Sequence, residues 1–270
     1  MPTFTGKAFA NFYKNILGVN QTTNTGVDAT TRAIQDGAGN DTVISLSDDV
    51  LQVKPADDNT TGTLAVQNNG GSNILAVDTT NSLVKTGASQ VSATTQYTHF
   101  GIDNASSSAY AADIHYAIPF MVNNSSTAIL NAGSSTSSSF NDTNPATSVT
   151  ISTTGNLAVQ TYWYVMDDIT IDAVKWLHSA DAATGDVTAG HLMAYDIVTD
   201  NSSTSGDLSN GTVVADGSNI TNAGYEQIYY QAMTVQSANV DAGKVILFTF
   251  ASDTINSDFS INATVKFHIR

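Results

Sequence analysis

The sequence predicts an all-β chain in three parts: a short N-terminal helix with an extended arm, a short-strand trimerising segment, and a C-terminal jelly-roll-like β-sandwich. Three observations carry this. Residues that cover solvent-facing helices are scarce: Glu226 is the only glutamate, beside two arginines and seven lysines in 270 residues, where helix surfaces normally use Glu, Lys, Arg and Gln. Thr, Ser, Asn and Gly instead punctuate short apolar runs, the pattern of strands and turns. The chain also closes on strict alternation, with Ile261, Ala263, Val265, Phe267 and Ile269 on one side and Asn262, Thr264, Lys266, His268 and Arg270 on the other.

The hydrophobic fraction of 41% is enough to bury a core in one large domain or two modest ones. Charged residues are 12%, against a usual ~25%. Asp+Glu is 24 against Lys+Arg 9, a formal charge of −15. That balance argues against nucleic acid and against an anionic membrane surface, since both need protein cations. No apolar run approaches the ~18 residues of a membrane span. Without cysteine there are no disulfides, thiolate metal sites or cysteine nucleophiles. The opening MPTFTGKAFANFYKNILGVNQ lacks the apolar stretch of a secretory signal.

Residues 1–42 form the first part. Phe9, Phe12, Tyr13, Ile16 and Leu17 make a single helical stripe, with Thr5 placed to cap its start and Gly18 its end. A helix of about 12 residues is marginal alone in water and must dock. Lys7, Lys14 and Arg32 against Asp28 make 1–32 locally basic on an acidic chain. The stripe and Lys7 are therefore candidates for docking on a partner, and packing on the chain's own body is the other option. Residues 18–42, polar and rich in Gly, Thr and Asn, read as an extended arm.

Residues 43–93 hold very short apolar runs, including the near-repeat GTLAVQNN and NILAVDTT. Strands this short cannot hide an apolar face within one chain. Winding identical chains together lets Val43, Leu46, Leu51, Val53, Leu64, Val66, Leu75, Val77 and Leu83 meet at a trimer interface. A meander folded onto the C-terminal body is the alternative.

Residues 94–270 read as a sandwich of eight or nine strands. Ile114, Tyr116, Ile118, Phe120 and Val122 alternate with polar positions, and Pro119 places that strand at an edge. Leu157, Val159, Trp163 and Val165 alternate with Gln160, Tyr162 and Tyr164.

Motifs for chemistry are sparse. No nucleophile elbow, phosphate-binding loop or zinc-protease helix motif is present, and no cofactor is expected. The histidines at 99, 115, 178, 191 and 268 never pair at metal-ligand spacing. The doublets Asp48–Asp49, Asp57–Asp58 and Asp167–Asp168 suit turns. Tyr162, Tyr164 and Tyr229 are candidates to stack on a glycan. Lys266, His268 and Arg270 line one face of the last strand, solvated or set against an acidic neighbour.

The stretch NFYKNILGVNQTTNTGVDATTRAIQDGAGNDTVISLSDDVLQVKP resembles the N-terminal portion of virion proteins of marine podovirus or pelagiphage-like tailed phages. GTLAVQNNGGSNILAVDTTNSLVKTG is similar to stalk repeats of phage fibres and head appendages, and GDLSNGTVVADGSNITNAGYEQIYYQAMTVQSANVDAGKVILFTF resembles the C-terminal body of the same group. The resemblance implies a homotrimeric virion component that contacts the major capsid protein or other virion subunits, and it carries no catalytic residues. The expectation is a capsid decoration (cement) protein or head fibre. A tail fibre or receptor-binding protein recognising a host-surface glycan is the alternative.

Overall fold

The computed structural model describes residues 16–22, 26–58, 60–87, 89, 91–104, 115–121, 161–180, 187–197, 208–217, 220–221, 227–253 and 259–270. They are almost entirely β. The chain divides into two compact units, Met1–Ala93 and Thr94–Arg270.

The first unit holds two four-stranded antiparallel meanders. One runs β1 (Gly18–Val19), β2 (Arg32–Gln35), β3 (Asp41–Leu46) and β4 (Leu51–Val53). This corrects the reading of 18–42 as an extended arm. The polar stretch supplies two strands and its own turns: the Asp36 carboxylate accepts from the Ala38 and Asn40 amides and the Asn40 side chain, closing the β2–β3 connection. β3 also crosses the expected boundary at 42/43, so arm and short-strand segment share one sheet. Gly18 lies in β1, paired with Gln35, rather than ending a helix.

The second meander runs β5 (Leu64–Gln67), β6 (Asn73–Asp78), β7 (Leu83–Thr86) and β8 (Val91–Ser92). The near-repeat is its first hairpin, with Leu64 opposite Val77 and Val66 opposite Leu75. Asn68 builds the turn. Its side-chain oxygen accepts from Ser72 N, its carbonyl accepts from Gly71 N, and Gly71 takes a φ of +82° that a side chain would resist.

The second unit comprises β9 (Thr95–Asn104), β10 (Tyr116–Ile118), β11 (Trp163–Tyr164), β12 (Ile169–Ala180), β13 (Val187–Ile197), β14 (Leu208–Asp216), β15 (Ile220–Thr221), β16 (Gln227–Val235), β17 (Asn239–Val240), β18 (Val245–Ser252) and β19 (Phe259–Ile269). Eight of them follow the order β10-β18-β13-β14-β16-β12-β19-β9, with β11, β15 and β17 attached at the sides. Counted along the chain, these eight pair first with last (β9·β19), second with seventh (β10·β18), third with sixth (β12·β16) and fourth with fifth (β13·β14). That is a long hairpin rolled on itself, the topology of a jelly roll. The further pairs β19·β12 and β18·β13 complete two four-stranded layers, β9-β19-β12-β16 and β10-β18-β13-β14, and β14·β16 joins one layer to the other. The bridge from Phe100 to Phe120, with Gly101 N donating to Pro119 O, brings the two ends of the path together and makes a near-barrel.

Between the layers lies the main core, including Phe100, Ile118, Trp163, Trp176, Leu192, Phe248, Phe250 and Val265. The alternation predicted for the last strand holds: Ile261, Ala263, Val265 and Phe267 join this core, and Ile269 packs against it. The Trp176 indole donates to Gln231 Oε1 at 2.9 Å, so its one polar atom is satisfied. Gly190 sits where a Cβ would meet the Phe248 ring at 2.8 Å and Trp176 at 3.1 Å. A second cluster, with Ala117, Met193, Tyr195, Leu208, Val245 and Leu247, lies on the outer side of the β10-β18-β13-β14 layer. β18 is consequently buried along its whole length, which is why its sequence shows no alternation.

Candidate interaction surfaces

The second meander of the first unit presents an open apolar face. Strand pairing places Leu64, Val77 and Val84 in one row and Val66, Leu75, Thr86 and Val91 in the next, all on one side. Val66 is 51% exposed, and Leu64, Val84 and Val91 are exposed as well. Leu75 and Val77 are half-buried. Leu83 pairs with Asp78 on the opposite side, so the structure gathers four of the five residues expected here on one face and places the fifth elsewhere.

That opposite side is polar at its centre. Asp78 is fully buried, and accepts from Lys85 Nζ at 2.5 Å and from the Asn81 amide and side chain. Lys85 first, then Asn81, hold its carboxyl down at about 2. A charge so completely paired keeps this side from being an alternative apolar face.

In the first meander, Ile44 pairs with Val53 and Leu46 with Leu51, which sets these four on one side. Leu51 is 70% exposed and Ile44 and Val53 are exposed too. Val43 alternates to the other side. Of the docking candidates, Lys7, Phe9, Phe12 and Tyr13 lie outside the described residues. Ile16 and Leu17 are described, precede β1 without belonging to a helix, and Leu17 is exposed.

The glycan-stacking candidates do not assemble. Tyr162 packs against the second cluster, its hydroxyl is buried with no hydrogen-bond partner among the described residues, and burial pushes it up to about 12. Tyr164 is exposed. Tyr229 turns inward against the main core and donates to Gln227 Oε1. The tyrosines that do stand out on a sheet face are Tyr97 on β9 and Tyr230 on β16. Neither is singled out by pattern: alternation in the irregular YEQIYY run leaves the inward residue ambiguous for Tyr230, and Tyr97 lies in the polar TQYTH stretch.

Among the described residues three histidines, His115, His178 and His191, are fully buried. His115 and His191 meet edge to face with ring centroids 5.2 Å apart. Burial foremost, then His191, takes His115 down to about 3. His178 lies against Trp176 and Phe250, and burial takes it down to about 4. Among the described residues no group of three or more His, Asp or Glu could hold a metal ion. On the last strand, His268 contacts Asp172 at 2.9 Å and Arg270 contacts Asp241 at 2.8 Å.

No protein-family model matches the chain, and no curated protein aligns with it significantly. Among solved structures, a chain from the structure of infectious bursal disease virus Gx strain aligns over 64% of this chain and 32% of that one, with 7% identity and a TM-score of 0.26. The chain thus spans about a third of that chain's length. A likeness this distant carries no argument about function.

Proposed function

We propose that the chain is a phage virion structural protein, a trimeric capsid decoration protein or head fibre that docks on the shell through its N-terminal region. One observation carries this reading: the rows Leu64–Val77–Val84 and Val66–Leu75–Thr86–Val91 leave Leu64, Val66, Val84 and Val91 open to water on one side of the sheet. Burying a Val or Leu side chain is worth about 1.5–3 kcal/mol, so a face of this composition favours association strongly. The occupant is two further copies of the same chain. The sheet is too small to supply a second layer of its own, and closed symmetry satisfies all copies at once. The stalk-repeat resemblance of residues 62–87 supports three strands rather than two. Trimers fit the local threefold points of an icosahedral shell.

Jelly rolls serve many functions, capsid and lectin domains among them, so the topology agrees with the reading without specifying it. Docking falls to the basic, apolar N-terminal stripe of Lys7, Phe9, Phe12, Tyr13, Ile16 and Leu17. Neither chemistry nor a cofactor enters this role.

Two measurements test it. Density for the chain on intact particles belongs at shell threefold points, and density at the tail instead supports the fibre or receptor-binding alternative. Deleting residues 1–18 removes the protein from particles and leaves the body folded, whereas full occupancy by the truncated chain refutes the anchor.

A further inference from the structure

We infer that the outer face of the β9-β19-β12-β16 layer is a binding site for acidic saccharides. Strand register lays this face out in rows. Tyr97 stands opposite Lys266, His99 opposite Thr264, and Thr264 opposite Lys175, while Leu177 lies between Asn262 and Tyr230. Tyr97, Thr98, His99, Asn262 and Thr264 line a hollow of about 330 Å³ in it. That is the lower end of small-ligand sites, roughly 300–1,000 Å³, and suits one or two sugar rings.

The chemistry of the lining selects the class. Tyr97 is 67% exposed, so its ring is open to stack on the C–H face of a pyranose. Asn262, Thr264 and His99 are hydroxyl-matching donors and acceptors beside it. Charge selects within the class. On a chain of −15, these rows carry Lys175 and Lys266, and the acids of the layer fall in the flanking rows, Asp103 opposite Ser260 and Asp172 beside His268. Neither lysine makes an ion pair among the described residues; Lys175 lies over the Tyr230 ring at 5.7 Å. His268 and Arg270, by contrast, are taken by Asp172 and Asp241. Asp172 is engaged by His268, and screening over about 8 Å at physiological salt weakens repulsion from the remaining acids, so the two lysines can hold a carboxylate. An acidic protein is a poorer occupant of the hollow, because a stable protein interface needs about 800 Å² per partner with an apolar centre, whereas the hollow is polar and lies between β9 and β19, apart from the exposed Leu177, Ile228 and Tyr230 on β12 and β16. The inference does not depend on where on a particle the chain sits.

The test is calorimetric titration of the full chain with tetragalacturonate and sialyllactose, and with maltotetraose as the uncharged control. An acidic probe binds with at least about tenfold preference over maltotetraose and loses affinity as salt rises. Tyr97→Ala weakens binding about tenfold, and Lys266→Gln about threefold with a flatter salt dependence. Both side chains lie on the outer face of the layer, so circular dichroism of the variants stays that of the parent. The inference is overturned if neither acidic probe binds at millimolar concentration, if maltotetraose binds equally, if Tyr97→Ala binds as the parent does, or if hydrogen exchange shows residues 95–101 covered by a second copy.

Discussion

Lys85 reaches diagonally across the β6–β7 pair to place its Nζ 2.5 Å from Asp78 Oδ2, on the side of the sheet opposite Val77 and Val84. The small sheet therefore has one side held by an internal charge pair and one left apolar. In the proposed trimer this asymmetry assigns the apolar side to the partner copies. Asp78→Ala leaves the Lys85 ammonium and the Asn81 amide without their acceptor. The expected outcome is at least about a tenfold loss of hydrogen-exchange protection at the β6 amides, with the C-terminal unit unchanged.

A charge placed on the other side should act on association rather than folding. Val66→Asp puts a carboxylate into the apolar rows, where burial against a second copy would strand it. The variant is expected to remain folded by circular dichroism and to sediment as a monomer. Ser45→Asp, on the other sheet, serves as a control that changes charge alone.

The buried histidines give the body a pH dependence whose sign is fixed. His178 and His115 have folded values of about 4 and about 3, below the ordinary 6.5. Between 6.5 and those values the unfolded chain binds more protons than the folded one, so stability falls as pH drops through that window and is level above it. The slope is about 1.4 kcal/mol per pH unit for each histidine. Urea midpoints measured from pH 8 to 5 check this, and His178→Phe should remove about one proton from the slope. Asp78, with a folded value of about 2 against the usual 3.8, adds a loss that begins only below about pH 4.

Gly190 tests the packing of the jelly roll. In Gly190→Ala the new methyl meets the Phe248 ring and Trp176, which pack against each other with ring centroids 5.9 Å apart. Overpacking of this kind costs about 1–3 kcal/mol, readable as a lower urea midpoint at unchanged slope.

Much of the body was legible because its strands alternate. The inward set Ile261 to Ile269 and the inward Trp163 and Val165 follow from period two alone. β18 shows the limit: buried on both faces, VILFTF carries no period from which orientation can be read. The arm shows another. A polar run such as TTRAIQDGAGNDT forms strands that pair with their sequence neighbours, so low hydrophobicity does not report a lack of pairing. For the surfaces, the residues around Leu64 and Val66 were identifiable as short apolar runs, but only register separates Leu83 from them. Tyr97, half of an unremarkable TQYTH stretch, has significance only once β19 sets Lys266 and Thr264 beside it.

The central claim is that identical copies cover the open rows of the β5–β8 sheet. Sedimentation velocity of the full chain at micromolar concentration measures this directly. A species of three times 28.2 kDa is expected, becoming monomeric in Val66→Asp, and a compact 28.2 kDa species in the parent protein rules the trimer out.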